Sequence, residues 1–129
     1  MSSRDVRHLA VVMMVMNVAA LNGCSAGGKH EAAAVTGGSA ERGSLAMERY
    51  GCNACHAIAG FPDPSTAVAA PITGIAHRTY IAGTLPTTPE NLVLWIRFPH
   101  KVKPATAMPD LGVSESEARD VVAYLYSLR

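Results

Sequence analysis

The chain has 129 residues with 11 Lys or Arg against 10 Asp or Glu, a formal net charge of +1. No basic patch or run stands out, which excludes a nucleic-acid footprint, and the charges read as an ordinary solvated surface. A hydrophobic share of 49% suits one small domain with a modest core.

Residues 1–23 differ in composition from the rest of the chain. Arg4, Arg7 and His8 precede the mostly apolar stretch Leu9 to Leu21, which closes on Asn22-Gly23-Cys24, the layout of an export signal. A helix over that stretch would be about 20 Å long at 1.5 Å per residue, short of the roughly 20 residues a span requires. Leu21-Asn22-Gly23-Cys24 resembles the lipobox of bacterial lipoproteins, with Asn22 departing from the usual small or aliphatic residue. The expectation is a signal peptide removed before Cys24, which becomes lipidated and anchors the protein to a membrane. An ordinary signal with an incidental cysteine is the alternative. Losing Arg4, Asp5 and Arg7 leaves acidic and basic side chains in balance.

Residues 24–40 then contain the small, polar, Gly-rich run SAGGKHEAAAVTGGSA. It lacks an apolar period and reads as a flexible tether reaching roughly 20–25 Å. The remaining residues, 41–129, read as the folded domain.

Helix formers Leu45, Ala46, Met47, Glu48 and Arg49 predict a helix over about 40–51 that runs into Cys52-Asn53-Ala54-Cys55-His56. C-x-x-C-H is the attachment site of a c-type haem: two thiols add across the vinyl groups and the following imidazole, here His56, ligates iron. A thioredoxin-like pair would need a βαβ context, which the helix-then-turn flanks do not provide. A structural zinc site needs four ligands, and there is no second C-x-x-C; only His30, His77, His100 and carboxylates remain to complete one.

Past the proline-bearing loop Phe61 to Ala70, Thr88-Pro89-Glu90 reads as an N-cap with Pro at the first helical position. It opens a helix over Glu90 to Phe98 that Pro99 stops, with Leu92, Trp95 and Ile96 on its apolar face. Ser114 with Glu117 is a capping box, and Ala118, Val121, Val122, Leu125 and Leu128 make the stripe of a last helix. Strand signals are almost absent, so the chain reads as all-α and loop-rich.

Elimination narrows the second iron ligand. Outside the leader only Met47 and Met108 remain. Met47 lies on the helix entering the motif, whereas Met108 lies in the braced loop Pro104 to Pro109, a placement suited to a distal ligand. His77 and His100 are rival ligands, and gap-filling is the structural alternative for Met108. His and Met together raise the iron potential and leave no open position.

These residues resemble class I cytochromes c, over roughly Gly43 to Arg129. Met108-Pro109-Asp110-Leu111-Gly112 before a Ser/Glu-opened helix, with Thr88-Pro89-Glu90-Asn91-Leu92 and Trp95-Ile96, is similar to the cytochrome c domain of subunit II in caa-type terminal oxidases. The resemblance implies a small fold of three to five helices around one covalent haem c, with thioethers at Cys52 and Cys55, His56 proximal and Met108 distal. It implies Trp95 as a propionate hydrogen-bond donor and Arg78 as a basic residue near the inner propionate. Gly43 and Met47 match the crossing of first and last helices, with Val121 and Tyr124 opposite. A proline carbonyl usually orients the proximal His in that family; here either Ala70 or Pro71 supplies it.

A haem closed on both faces and without an acid/base cluster suits electron transfer, not substrate chemistry. The expected function is a membrane-tethered one-electron carrier on the extracytoplasmic or periplasmic face. The resemblance implies a circuit from a quinol-oxidising complex to a terminal oxidase, with the chain a free carrier or a subunit of the oxidase complex. The alternatives are a haem peroxidase or gas sensor with a displaceable Met108, or a passive haem-bearing structural subunit.

Overall fold

A computed structural model describes residues 23–65 and 68–128; the export-signal reading of residues 1–22 lies outside them. Five α-helices occur among the described residues: α1 (Gly23–Thr36), α2 (Ala40–Arg49), α3 (Pro89–Arg97), α4 (Pro99–Val102) and α5 (Glu115–Ser127). Two-residue strands β1 (Tyr80–Ile81) and β2 (Leu85–Pro86) pair antiparallel, with Ile81 opposite Leu85. Ala82 (φ 53°) and Gly83 (φ 76°) turn the chain between them, two successive left-handed residues that give a tight hairpin its twist. Apart from this short hairpin and two 3₁₀ turns, the regular structure of the described residues is α-helical.

Helix α5 is the central element because α1, α2 and α3 all pack on it. Its capping box is formed: the Ser114 hydroxyl accepts from the Glu117 amide, and the Glu117 carboxylate accepts from the Ser114 amide at 3.2 Å. Ala118, Val121, Val122, Ala123, Leu125 and Tyr126 are buried, more than one stripe, as expected for a helix covered on several sides. Helix α2 buries Ala40, Gly43, Ala46 and Met47, one face at spacings of three and four. Where α2 crosses α5, a Cβ added to Gly43 would stand 2.0 Å from the Asp120 carbonyl oxygen and 3.0 Å from Tyr124 Cβ, so the helices meet backbone to backbone. Beside that crossing the buried carboxylate of Asp120 accepts from the Ser39 amide at 2.7 Å and from Arg42 Nε and Nη2 at 2.8 Å each. One aspartate thus ties the start of α2 to the middle of α5 and answers the unpaired amides of a helix N-terminus.

The flexible-tether expectation for residues 24–40 is corrected by α1. Ala32 is fully buried and Thr36 nearly so, and the helix packs on α5. The Thr36 hydroxyl donates to the Ala32 carbonyl at 2.7 Å and accepts from the Gly38 amide at 3.2 Å. Gly37 takes a left-handed φ of 69° after the last turn, the usual glycine helix terminator. Gly38 lies flush on α5, with an added Cβ only 2.2 Å from the Arg119 carbonyl oxygen. Two of the glycines that suggested flexibility, Gly37 and Gly38, therefore cap a helix and allow close contact. Composition missed this because Ala and Thr make a docking face without an apolar period, while the alanine run favours helix.

Two other boundaries are refined. Thr88 caps α3 by accepting from the Asn91 amide at 3.2 Å, with Pro89 first in the helix. Pro99 both ends α3 and starts α4, consistent with proline's tolerance at a first helical turn.

Candidate cofactor site

Helix α2 delivers the Cys-Asn-Ala-Cys-His motif. Its last turn closes with the Tyr50 amide donating to the Ala46 carbonyl at 2.9 Å. Gly51 then takes φ 67°, and the chain enters a 3₁₀ turn over Cys52–Ala54. The Cys55 and His56 amides both donate to the Cys52 carbonyl, at 3.4 and 3.1 Å. Residues i and i+3 align in a 3₁₀ turn, so the geometry sets Cys52 and Cys55 on one side of it. Both thiols are free and half-buried, and burial pushes the Cys52 thiol up from its ordinary value.

His56 is held by a second segment. Its Nδ1 lies 2.7 Å from the Ala70 carbonyl oxygen; the carbonyl can only accept, so Nδ1 carries the hydrogen and the Nε2 lone pair is left for a metal. Ala70, rather than Pro71, therefore orients the ring; the Pro71 carbonyl accepts instead from Arg78 Nη2. Around this contact the two segments are laced together. The Ala69 amide donates to the Cys55 carbonyl at 3.3 Å, the Ile72 amide to the Ala57 carbonyl at 3.1 Å, and the Ala59 amide to Thr73 Oγ1 at 2.8 Å. From α5 the Tyr124 hydroxyl donates to the Ala59 carbonyl at 2.9 Å, and its ring meets Phe61 edge to face at 5.7 Å. The central helix thereby fastens the loop after the motif.

The other expected residues occupy distinct positions. Met47 is fully buried in the core, where it serves packing. Met108 is half-buried between α4 and α5, and its amide donates to Thr106 Oγ1 at 3.2 Å. Trp95 and Ile96 on α3 are partly buried against the same core cluster as Ile72, Leu85 and Cys52. Arg78, His77 and His100 are exposed. Cys24 lies in α1.

The donor set fits a c-type haem: two free thiols aligned on one turn and an imidazole with Nδ1 already engaged. It does not fit tetrahedral zinc, because among the described residues no three His, Cys, Asp or Glu side chains converge to hold a metal ion. Sequence reasoning missed Thr73 and the Arg78 to Pro71 link. A hydroxyl and a guanidinium bonding to backbone carry no spacing signature.

The family model for cytochrome c matches residues 40–129. Cytochrome c oxidase subunit 2 of Alkalihalophilus pseudofirmus is 36% identical over 91 residues, which cover 70% of this chain and 26% of that protein. The chain thus spans about a quarter of the length of that curated relative. No solved structure matches the chain significantly. The matched region begins where α2 begins and includes both cysteines, His56, Met108 and the helices that position them. The chain therefore belongs to the cytochrome c family, in which haem c is covalently bound.

Proposed function

We propose that the protein carries single electrons toward a terminal oxidase at the extracytoplasmic face of a membrane, receiving them from a quinol-oxidising complex or another cytochrome. One observation carries this reading: the Nδ1 proton of His56 is committed to Ala70 at 2.7 Å, which orients the ring and makes Nε2 an iron ligand of raised basicity. Cys52 and Cys55 would hold the haem by thioethers, His56 and Met108 would ligate its iron, and Trp95 with Arg78 would donate to its propionates. Bound there, haem c supplies a one-electron iron couple. The chain's own contribution is a proximal segment tied to the motif through the Ala69, Ile72 and Ala59 amides, which would hold the His56 ring in place as the charge on the iron changes. The oxidase-subunit relative supports the direction of flow.

Lipidation at Cys24 would attach the domain through α1 instead of a loose tether. Fourteen residues of helix span about 20 Å, similar to the flexible reach but with a set orientation. Anchoring raises the carrier's effective concentration beside membrane complexes without new contacts.

The test is the optical spectrum of protein matured with haem. A pyridine haemochrome of c type and a weak far-red Met-to-ferric-iron band are expected. Met108→Ala should remove that band, give a high-spin ferric spectrum and admit cyanide readily. An unchanged spectrum in Met108→Ala would reject Met108 as ligand, and a wild-type protein that binds cyanide at low concentration would favour an open-site haem enzyme over a carrier.

A further inference from the structure

Beside His56, Ala70 and Pro71 are neighbours in one extended segment, and their carbonyls are claimed from two sides. The Ala70 carbonyl accepts a hydrogen bond from His56 Nδ1 at 2.7 Å, while the Pro71 carbonyl accepts one from Arg78 Nη2. A peptide plane is rigid, and Pro71 has a fixed φ. Fixing the Pro71 carbonyl therefore limits rotation of the Ala70 carbonyl one residue earlier. Arg78 is itself anchored by its amide, which donates to the Ile75 carbonyl at 3.1 Å.

The geometry points to Arg78 as a positioning residue for the proximal ligand: it acts through the Pro71 carbonyl to hold the Ala70 carbonyl on His56 Nδ1. This rests on the reading of His56 as an iron ligand and adds to it a role for Arg78 distinct from a propionate contact. Before Ala70 the segment is tied by the Ala69 amide, which donates to the Cys55 carbonyl at 3.3 Å. The Ile72 amide, which donates to the Ala57 carbonyl, and the Thr73 hydroxyl, which accepts from the Ala59 amide, secure residues beyond Pro71, but among the described residues only Arg78 holds the Pro71 carbonyl. A guanidinium presents five donors in a planar fork, so the same side chain can serve backbone and propionate together. The two roles differ in what they require. The positioning role needs a donor and no charge; the propionate role depends on positive charge.

The experiment compares haem-loaded wild type, Arg78→Gln and Arg78→Met in the reduced, diamagnetic state by NMR. Two things are read: the ring-current shift of the His56 ring protons and the solvent exchange rate of Nδ1–H. Loss of one hydrogen bond of ordinary strength corresponds to roughly five- to tenfold in an opening equilibrium. Arg78→Met should therefore speed Nδ1–H exchange about five- to tenfold. Arg78→Gln, a neutral donor, should stay within about twofold of wild type. Nδ1–H exchange unchanged in Arg78→Met overturns the proposal. Equal acceleration in Gln and Met also overturns it, because charge and not donation would then be at work. Absence of ring-current-shifted His56 signals in wild type would instead reject His56 ligation, and with it both readings. Arg78 is exposed, so these variants leave the packed core intact, and a near-wild-type far-UV spectrum checks that.

Discussion

Replacing Gly43 by Ala tests the crossing of α2 and α5 with opposite signs for the competing effects. In a solvated helix interior, Gly to Ala stabilises by about 1 kcal/mol, because Ala loses less backbone freedom on folding. Here the new Cβ would lie 2.0 Å from the Asp120 carbonyl oxygen, 2.5 Å from its carbon and 3.0 Å from Tyr124 Cβ. Tolerable contacts begin near 3.4 Å, so α2 must retreat by more than about 1 Å. That motion stretches the bonds from Asp120 to Ser39 and Arg42, which are 2.7–2.8 Å long, and loosens Met47, which is fully buried. Overpacking costs about 1–3 kcal/mol and the strained hydrogen bonds add about 1 kcal/mol, against about 1 kcal/mol of helix propensity. The expected net loss is about 1–3 kcal/mol, a fall of roughly 5–20 °C in Tm for a domain near 100 residues. Guanidinium unfolding of the haem-loaded protein, followed by far-UV circular dichroism, measures it. A variant as stable as wild type, or more stable, would refute the backbone-to-backbone crossing.

Gly27→Ala should have the opposite effect, since an added Cβ meets nothing within 4 Å inside α1; a gain of about 0.5–1 kcal/mol is expected, whereas a flexible tether would show no change in the same unfolding curve. Asp120→Asn keeps the shape but loses the charge-assisted fork to Arg42. Arg42 is largely exposed, so screening limits the loss to about 1–2 kcal/mol, and a change under about 0.3 kcal/mol by denaturant titration would count against the network. Glu117 is held below its ordinary 4.5, first by the Ser114 hydroxyl and then by the Tyr50 hydroxyl. A depressed carboxyl contributes stability above its unfolded value and loses it as pH falls through the folded one. Gln at position 117 can still cap but cannot titrate, so the stability advantage of wild type over Glu117→Gln should shrink on going from about pH 5 to about pH 3. An advantage independent of pH in that window would contradict the assignment.

Local chemistry was legible wherever the signal lies within a few residues. Thr88-Pro89 and Ser114 with Glu117 start helices by satisfying amides three residues on, and Cys52, Cys55 and His56 form a site because a single 3₁₀ turn brings them together. Apolar spacing likewise exposed the face of α5. Such features depend on backbone geometry over one or two turns, which sequence determines nearly unaided.

The rest depends on residues far apart in the chain. The run Gly27 to Gly38 looks flexible by composition, yet Ala32 and Thr36 find a surface on α5, and Gly37 and Gly38 let the chain turn closely against Arg119. Helix stability of this kind comes from the partner face and not from propensity. In the same way, the sequence left Ala70 and Pro71 equivalent as acceptors for His56. Tertiary structure separated them, placing the Ala70 carbonyl on the ring nitrogen and giving Pro71 to Arg78. The sequence by itself determined that this protein holds a Cys-Asn-Ala-Cys-His motif among short capped helices. Only the packing decided which carbonyl orients the imidazole and that the segment bearing Cys24 is a docked helix, because each requires groups brought together by the whole fold.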